Sequence, residues 1–310
     1  MREPGHPELR PCDSSRKLWF IGDLHGHFDE TDANFLGDRD PTLVVFVGDL
    51  GDENPRMAQR VAALQVPTRC ILGNHDAWLS FRQKAATPAL LESLAILGDK
   101  HMAYDCHDIE SAGVSLVGAR PFSWGGPSLR SPELYTELYG VGDHEASAAR
   151  IVEAAERARF KSIVVVAHNG PYGLGKQSSD IFGKDFGRPG GDWGDLDLQL
   201  ALRELEKRGF RVPLVVAGHM HHVLSYPRGA YRKRCVVTDR TVYVNVARVP
   251  RIHRTSEGAT VRHYASASLR DGRLLAFEEH YVSADNSNTV TLFAGKTGHV
   301  DARELGGACE

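Results

Sequence analysis

The sequence predicts an α/β fold whose buried strands deliver their carboxyl ends to one metal site. Three observations carry this. Five short apolar runs each lead into a residue able to bind a metal, helix-forming segments lie between them, and the metal-capable ends hold only Asp, Asn and His. The runs are residues 18–22, leading to Asp23 and His25; 43–48, leading to Asp49; 70–73, leading to Asn74, His75 and Asp76; 163–167, leading to His168; and 214–218, leading to His219 and His221. Apolar runs of this length read as strands buried on both faces. In open α/β sheets, function gathers at the carboxyl ends of such strands.

The elements follow in order. After Asp23 the chain must turn, and Gly26 can supply the angles. A short helix is expected around residues 29–36 and a second strand at 43–47. Pro55 opens a helix to about residue 64, because proline suits the first helical turn. A third strand ends at Asn74, and 77–97 is largely helical with an interruption near Pro88. Residues 114–119 form a strand that runs into a Gly-, Pro- and Trp-containing loop, 120–126. Asp143 caps an Ala-rich helix to about residue 160, and strand 163–167 follows. Residues 170–195 carry eight glycines with little periodicity, a length and composition typical of a lid or a disordered loop. Asp195 starts a helix that stops at Gly209. Strands are then expected at 241–246, 264–269 and 273–281, the last two joined by the hairpin turn Asp271-Gly272. No repeat or linker interrupts this order. One domain is therefore expected over residues 17–282, after an N-terminal extension (1–16) and before a loosely ordered tail (283–310).

Composition narrows the function classes. The chain is 42% hydrophobic and 25% charged, with a formal net charge of −3, which gives no electrostatic reason to expect nucleic acid. The basic stretch 228–234 reads as a solvated loop. Five scattered cysteines without C-x-x-C spacing argue against a disulfide framework and a zinc ribbon, and fit a reducing compartment. No segment is apolar over the roughly 18 residues of a membrane span, and the first 16 residues lack an apolar signal core. The expected location is the cytoplasm, or the plastid stroma after removal of a transit peptide.

The spacing explains the chemistry. Asp-x-His places two ligands at one strand exit, and Gly-His-Met-His (residues 218–221) puts two imidazoles on a tight turn. Oxygen and imidazole ligands without thiolate suit Mn, Fe, Zn or Co. The seven candidate ligands, Asp23, His25, Asp49, Asn74, His168, His219 and His221, exceed what one tetrahedral ion needs. Two divalent ions are therefore expected, manganese foremost, bridged by a carboxylate that reduces repulsion between cations about 4 Å apart.

Taken in order, GDLHGH (22–27), GDLGD (48–52), GNHD (73–76), HNGP (168–171) and GHMH (218–221) resemble the blocks of the calcineurin-like metallophosphoesterase superfamily. The resemblance implies an αββα sandwich of two mixed β-sheets flanked by helices, with a dinuclear metal site at the strand ends. It also implies that Asp23, His25 and His221 hold one ion, that Asp49 bridges, and that Asn74, His168 and His219 hold the other. His75 would protonate the leaving oxygen, with Asp76 orienting its ring. Asp52 is expected behind the ligands or as a helix cap, and His222 beside the ligands or facing solvent. Residues 118–126 and 183–197 further resemble a branch found in cyanobacteria and plant plastids. The protein serine/threonine phosphatases of the superfamily carry Arg after the second block and GNHE in the third. Here Glu53 and Asp76 stand at those places, which disfavours that substrate class.

Residues 170–176 have the G-x-x-x-x-G-K spacing of a phosphate-cradling loop. Gln177 stands where Ser or Thr is needed, however, and Pro171 removes a backbone donor. The expected reaction is hydrolysis of a phosphate ester by a hydroxide shared between the two ions, most simply a monoester of a small metabolite or nucleotide. A phosphodiesterase and a catalytically silent binding module are the alternatives. Arg120, at a strand exit, is placed either to clamp a phosphate oxygen or to serve the fold. Oligomeric state is not legible. Residues 170–195 are expected to fold over the site as a lid, with Phe182, Phe186 and Trp193 covering the leaving group.

Overall fold

Strands that must be apolar on both faces need a partner layer on each side, and the structure supplies both. The computed structural model describes residues 16–284 and 286–295. A first sheet contains β1 (Arg16–Ile21), β2 (Leu43–Val47), β3 (Thr68–Ile71), β10 (Ile252–Arg254), β11 (Thr260–Arg270), β12 (Arg273–Val282) and β13 (Ser287–Ala294), in the order β13-β12-β11-β1-β2-β3 with β10 also on β11. A second contains β4 (Cys106–Ile109), β5 (Val114–Gly118), β6 (Ser162–Val166), β7 (Arg211–Ala217), β8 (Cys235–Val237) and β9 (Val242–Asn245), in the order β4-β5-β6-β7-β9-β8. Both sheets are mixed. The parallel pairs are β1–β2, β2–β3, β5–β6, β6–β7 and β7–β9.

Alternation along β2 shows how the layers form. Leu43, Val45 and Val47 pack with Val164, Val166, Leu214 and Val216 of the second sheet. Val44 and Phe46 point the other way, into a cluster with Met57, Val61 and Leu90. Those residues come from α2 (Pro55–Ala62) and α4 (Pro88–Leu97). On the far side, α6 (His144–Arg157) and α7 (Leu196–Lys207) cover the second sheet through Ile151, Ala155, Leu198 and Ala201. This is the αββα sandwich, and each fully buried Val or Leu stabilises it by roughly 1.5–3 kcal/mol.

The remaining helices are α1 (Glu30–Gly37), α3 (Trp78–Gln83) and α5 (Pro132–Tyr139). Asp29 closes a capping box with Asp32 at the start of α1. Buried Asp32 also accepts from Arg251 and Arg262 and from the Tyr264 hydroxyl, tying α1 to β11. Asp271 and Gly272 adopt φ of 50° and 72°, the left-handed pair that a tight hairpin requires. Within the expected tail, residues 287–294 form the edge strand β13; residues beyond 295 lie outside those described. Among the described residues, no helix is long and apolar enough to cross a membrane.

Arg120 serves the fold and is not free to clamp phosphate. Its side chain is 3% exposed. Its Nε donates to Asp197 Oδ2 at 2.7 Å and a terminal nitrogen donates to Asp195 Oδ1 at 2.8 Å. Asp195 therefore turns its carboxylate to the guanidinium and does not cap α7. Ser123 donates to Asp195, and Ser147 and His144 press on Asp197. The exit of β5 is thus tied to α6 and α7. Removing the cation leaves two buried carboxylates unpaired, so Arg120→Ala is expected to destabilise the protein by about 3–5 kcal/mol in urea unfolding. A loss under about 1 kcal/mol together with weakened substrate binding would return Arg120 to the phosphate-clamp role.

Candidate metal centre

All seven candidate ligands leave the carboxyl ends of parallel strands: β1 and β2 give Asp23, His25 and Asp49, β3 gives Asn74, β6 gives His168, and β7 gives His219 and His221. The exits are backbone-strained. Asp23, His25, Asp49 and His219 have φ of 49°, 44°, 50° and 64°, left-handed angles that cost a non-glycine residue on the order of 1–3 kcal/mol. Cross-strand bonds hold them there: His25 N–H donates to Asp49 O at 2.9 Å, and Gly26 N–H to Leu50 O at 2.8 Å. The glycines before three of the exits have a steric reason. A Cβ on Gly48 would lie 2.1 Å from His168 Nδ1, one on Gly73 2.2 Å from Asp49 Oδ1, and one on Gly218 2.4 Å from Asp23 Oδ2.

The donors form clusters within 4.8 Å: Asp23, His25 and His221; Asp49, His168 and His219; and His25, Asp49 and His75. Asp49 therefore belongs to two of them. Its Oδ2 lies 3.8 Å from His25 Nε2, and its Oδ1 lies 3.4 Å from His168 Nε2. Asn74 Oδ1 joins the second cluster, 2.9 Å from His168 Nε2. His168 Nδ1 lies 3.1 Å from Val47 O; a donor there leaves the Nε2 lone pair facing the cluster. His25 Nε2 is buried with no hydrogen-bond partner among the described residues. An orphaned imidazole nitrogen among carboxylates is what a bound cation would satisfy, so this donor set fits divalent metal.

Electrostatics agrees. Burial pushes the imidazoles of His25, His168 and His219 below the ordinary value, and that of His221 down to about 4. They are neutral near pH 7, as metal ligation requires. Burial raises Asp49, but His168, His75, His25 and His219 outweigh it and hold the carboxyl low. Burial and the charge of Asp49 push Asp23 well above the usual carboxylate range. A cation between them would relieve that crowding.

Asp76 does not orient His75. Adjacent side chains on a helical turn diverge, and the Asp76 carboxylate accepts from the backbone N–H groups of Leu50, Gly51 and Gly73 at 3.1, 2.9 and 2.8 Å. It braces the second and third exits. Burial, then the charge of Asp49, raises its pKa to about 8. The partner of His75 is Asp52, whose Oδ1 lies 2.7 Å from Nδ1. The only sequence signal for this pairing was the second aspartate of GDLGD. Glu53, which stands where the serine/threonine phosphatases have Arg, is buried and accepts from the backbone of Leu79 and Ser80 at the start of α3. His222 is buried behind the ligands, with Nε2 2.9 Å from Asn245 O.

The centre opens into a cleft of about 570 Å³, lined by Asp49, Asn74, His75, His219 and His221 together with Trp124, Arg130, Phe186 and Trp193. Residues 170–195 do border this cleft, but as a braced wall. Phe182 is fully buried beneath Gly170 and cannot cover a leaving group. Arg232, from the stretch expected to be solvated, is itself buried. It donates to the carbonyls of Ser178 and Asp180 at 2.8 and 2.9 Å and to Asp185 Oδ1 at 2.8 Å. The loop 120–126 and the segment 170–195 also grip each other: Trp193 Nε1 donates to Trp124 O and Gly126 N–H to Trp193 O, both at 2.8 Å.

Comparison with known proteins gives the fold and the family. One crystal structure superposes with a TM-score of 0.52 at 12% identity, covering 82% of this chain and 95% of its own. A dimetal phosphatase from Danio rerio is similar over 89% of this chain and 98% of its own, at 13% identity and a TM-score of 0.45. An NAD nucleotidase from Haemophilus influenzae is similar over 90% of this chain and 60% of its own, at 12% identity and a TM-score of 0.46. No curated protein matches the chain. The family profile described as calcineurin-like phosphoesterase matches residues 16–223. That span contains every strand exit described above, and the chain belongs to the calcineurin-like phosphoesterase family of metal-dependent hydrolases.

Proposed function

We propose that the protein hydrolyses a phosphomonoester of a small metabolite or nucleotide with two divalent ions, manganese in the first instance. The observation that carries this reading is the position of Asp49, with one oxygen toward each histidine cluster. Asp23, His25 and His221 would hold the first ion, Asn74, His168 and His219 the second, and Asp49 both. Bound ions would polarise the phosphoryl group and supply a water acidic enough to attack at neutral pH.

The chain's own residues do the rest. His75 lines the cleft beside Asn74 and Asp49, and its Nδ1–H donated to Asp52 leaves Nε2 to pass a proton to the departing oxygen. The His75 backbone N–H donates to Asp49 Oδ1 at 2.8 Å, so the acid and the bridging carboxylate keep a fixed spacing. Trp78 lies beside the His75 ring, centroids 5.2 Å apart, which limits its rotation. Preferential turnover of bis-p-nitrophenyl phosphate over p-nitrophenyl phosphate would transfer the reading to a diester.

Three outcomes test it. Asp49→Ala is expected to lose activity and metal together in elemental analysis; a mutant that keeps two ions per chain contradicts the bridge. His75→Ala is expected to retain metal while kcat falls by roughly 10²–10⁴, with a smaller loss for p-nitrophenyl phosphate than for an alkyl phosphate. Equal losses on both substrates would remove the acid role. Asp52→Asn is expected to reproduce the leaving-group dependence of the His75 variant at smaller amplitude, whereas Asp76→Asn, which loosens two strand exits, is expected to lower metal content. The opposite pattern would return the orienting role to Asp76.

A further inference from the structure

We infer that the aromatic flank of the cleft is a subsite for a planar base, making the substrate a nucleoside monophosphate. The inference rests on the phosphomonoesterase reading and assigns its leaving group. The cleft that holds the ligand residues is also lined by Trp124, Arg130, Phe186 and Trp193. An aliphatic phosphate has no use for so much ring surface beside a metal centre. The Arg130 guanidinium lies 3.9 Å from the Trp124 ring centroid, and among the described residues no carboxylate pairs with it. A guanidinium stacked on indole is a flat cationic plate, suited to an electron-rich ring or its attached oxygens.

Phe186 is 41% exposed, with its ring 5.2 Å from that of Trp193 and nearly perpendicular to it. A single exposed ring is ordinary on a protein surface, but this one shares a cleft wall with Trp193 and Trp124, and Lys184 Nζ lies 5.4 Å from its centroid, so rings and cations together form a platform that a base can cover. The flank is also preorganised. Gly126 approaches so closely that a Cβ there would lie 3.0 Å from the Trp193 ring, and Asp185, next to Phe186, is held by Arg232 and by the Ser225 N–H. A cleft of about 570 Å³ lies in the range, roughly 300–1,000 Å³, that encloses drug-sized ligands. A nucleotide fills it far better than a small aryl phosphate.

The test compares kcat/KM for adenosine monophosphate and ribose 5-phosphate on the manganese-loaded protein. The two share a primary phosphate ester and differ in the base. The wild type is expected to prefer the nucleotide by roughly tenfold or more, the usual worth of one base on an aromatic platform. That ratio should fall toward one in Phe186→Ala, fall in Arg130→Gln, and persist in Phe186→Tyr and in Tyr172→Ala, an exposed aromatic outside the cleft. A wild-type ratio near one, or a ratio undiminished in Phe186→Ala, overturns the subsite. If neither ester nor p-nitrophenyl phosphate is hydrolysed, the phosphomonoesterase reading fails, and the subsite is judged by tryptophan fluorescence. Saturable quenching by adenosine monophosphate that weakens in Phe186→Ala upholds it, and no quenching refutes it.

Discussion

The structure turns on one carboxylate. Asp49 is buried, and its two oxygens face histidines delivered by different sheets: His25 from the exit of β1 and His168 from the exit of β6. That position is open only because Gly48 and Gly73 leave out the side-chain atoms that would otherwise strike His168 and Asp49. The exits themselves sit at left-handed angles that cost free energy. The two sheets supply the compensation, through the closely packed interior between them and the backbone bonds from one exit to the next. Site and sandwich are thus one mechanical problem: shift the sheets relative to each other and the donor clusters come apart.

A second feature is the use of buried cations as braces. From their positions Arg120, at a strand exit, could meet a ligand and Arg232, in a basic run, could face solvent. Each is instead enclosed by carboxylates and carbonyls. Arg120 fixes the loop that carries Trp124, and Arg232 fixes the segment that carries Phe186. Arginine suits this because its planar fork saturates several acceptors from one buried position. The loops that border the cleft are therefore held shapes, and binding to them requires little ordering of the chain.

The pairing of Asp52 with His75 follows similar logic. His75 and Asp76 are neighbours on one short helical turn, so their side chains diverge. Asp76 turns inward to three backbone donors, while His75 turns toward the exposed carboxylate of Asp52, across from it on the second exit. Adjacency in sequence suggested one partner; the geometry of the turn selected another.

What the sequence determined by itself was whatever depends on local patterning. Apolar runs ending in Asp, Asn or His identified β1, β2, β3, β6 and β7 and brought the candidate ligands to their carboxyl ends, because burial on both faces and metal ligation each favour particular residue types at particular spacings. Asp29, Asp143 and Asp271-Gly272 announced their helix start, cap and hairpin for the same reason. Tertiary structure alone decided the partners of charged residues, since Arg120 meets Asp195 and Asp197 some seventy-five residues away and no local rule relates them. It also decided that Phe182 is core while Phe186 is surface, and that residues 287–294 complete a sheet. An edge strand of mixed polarity carries little pattern of its own. It forms because β12 presents unpaired backbone groups, and that is a property of the assembled sheet.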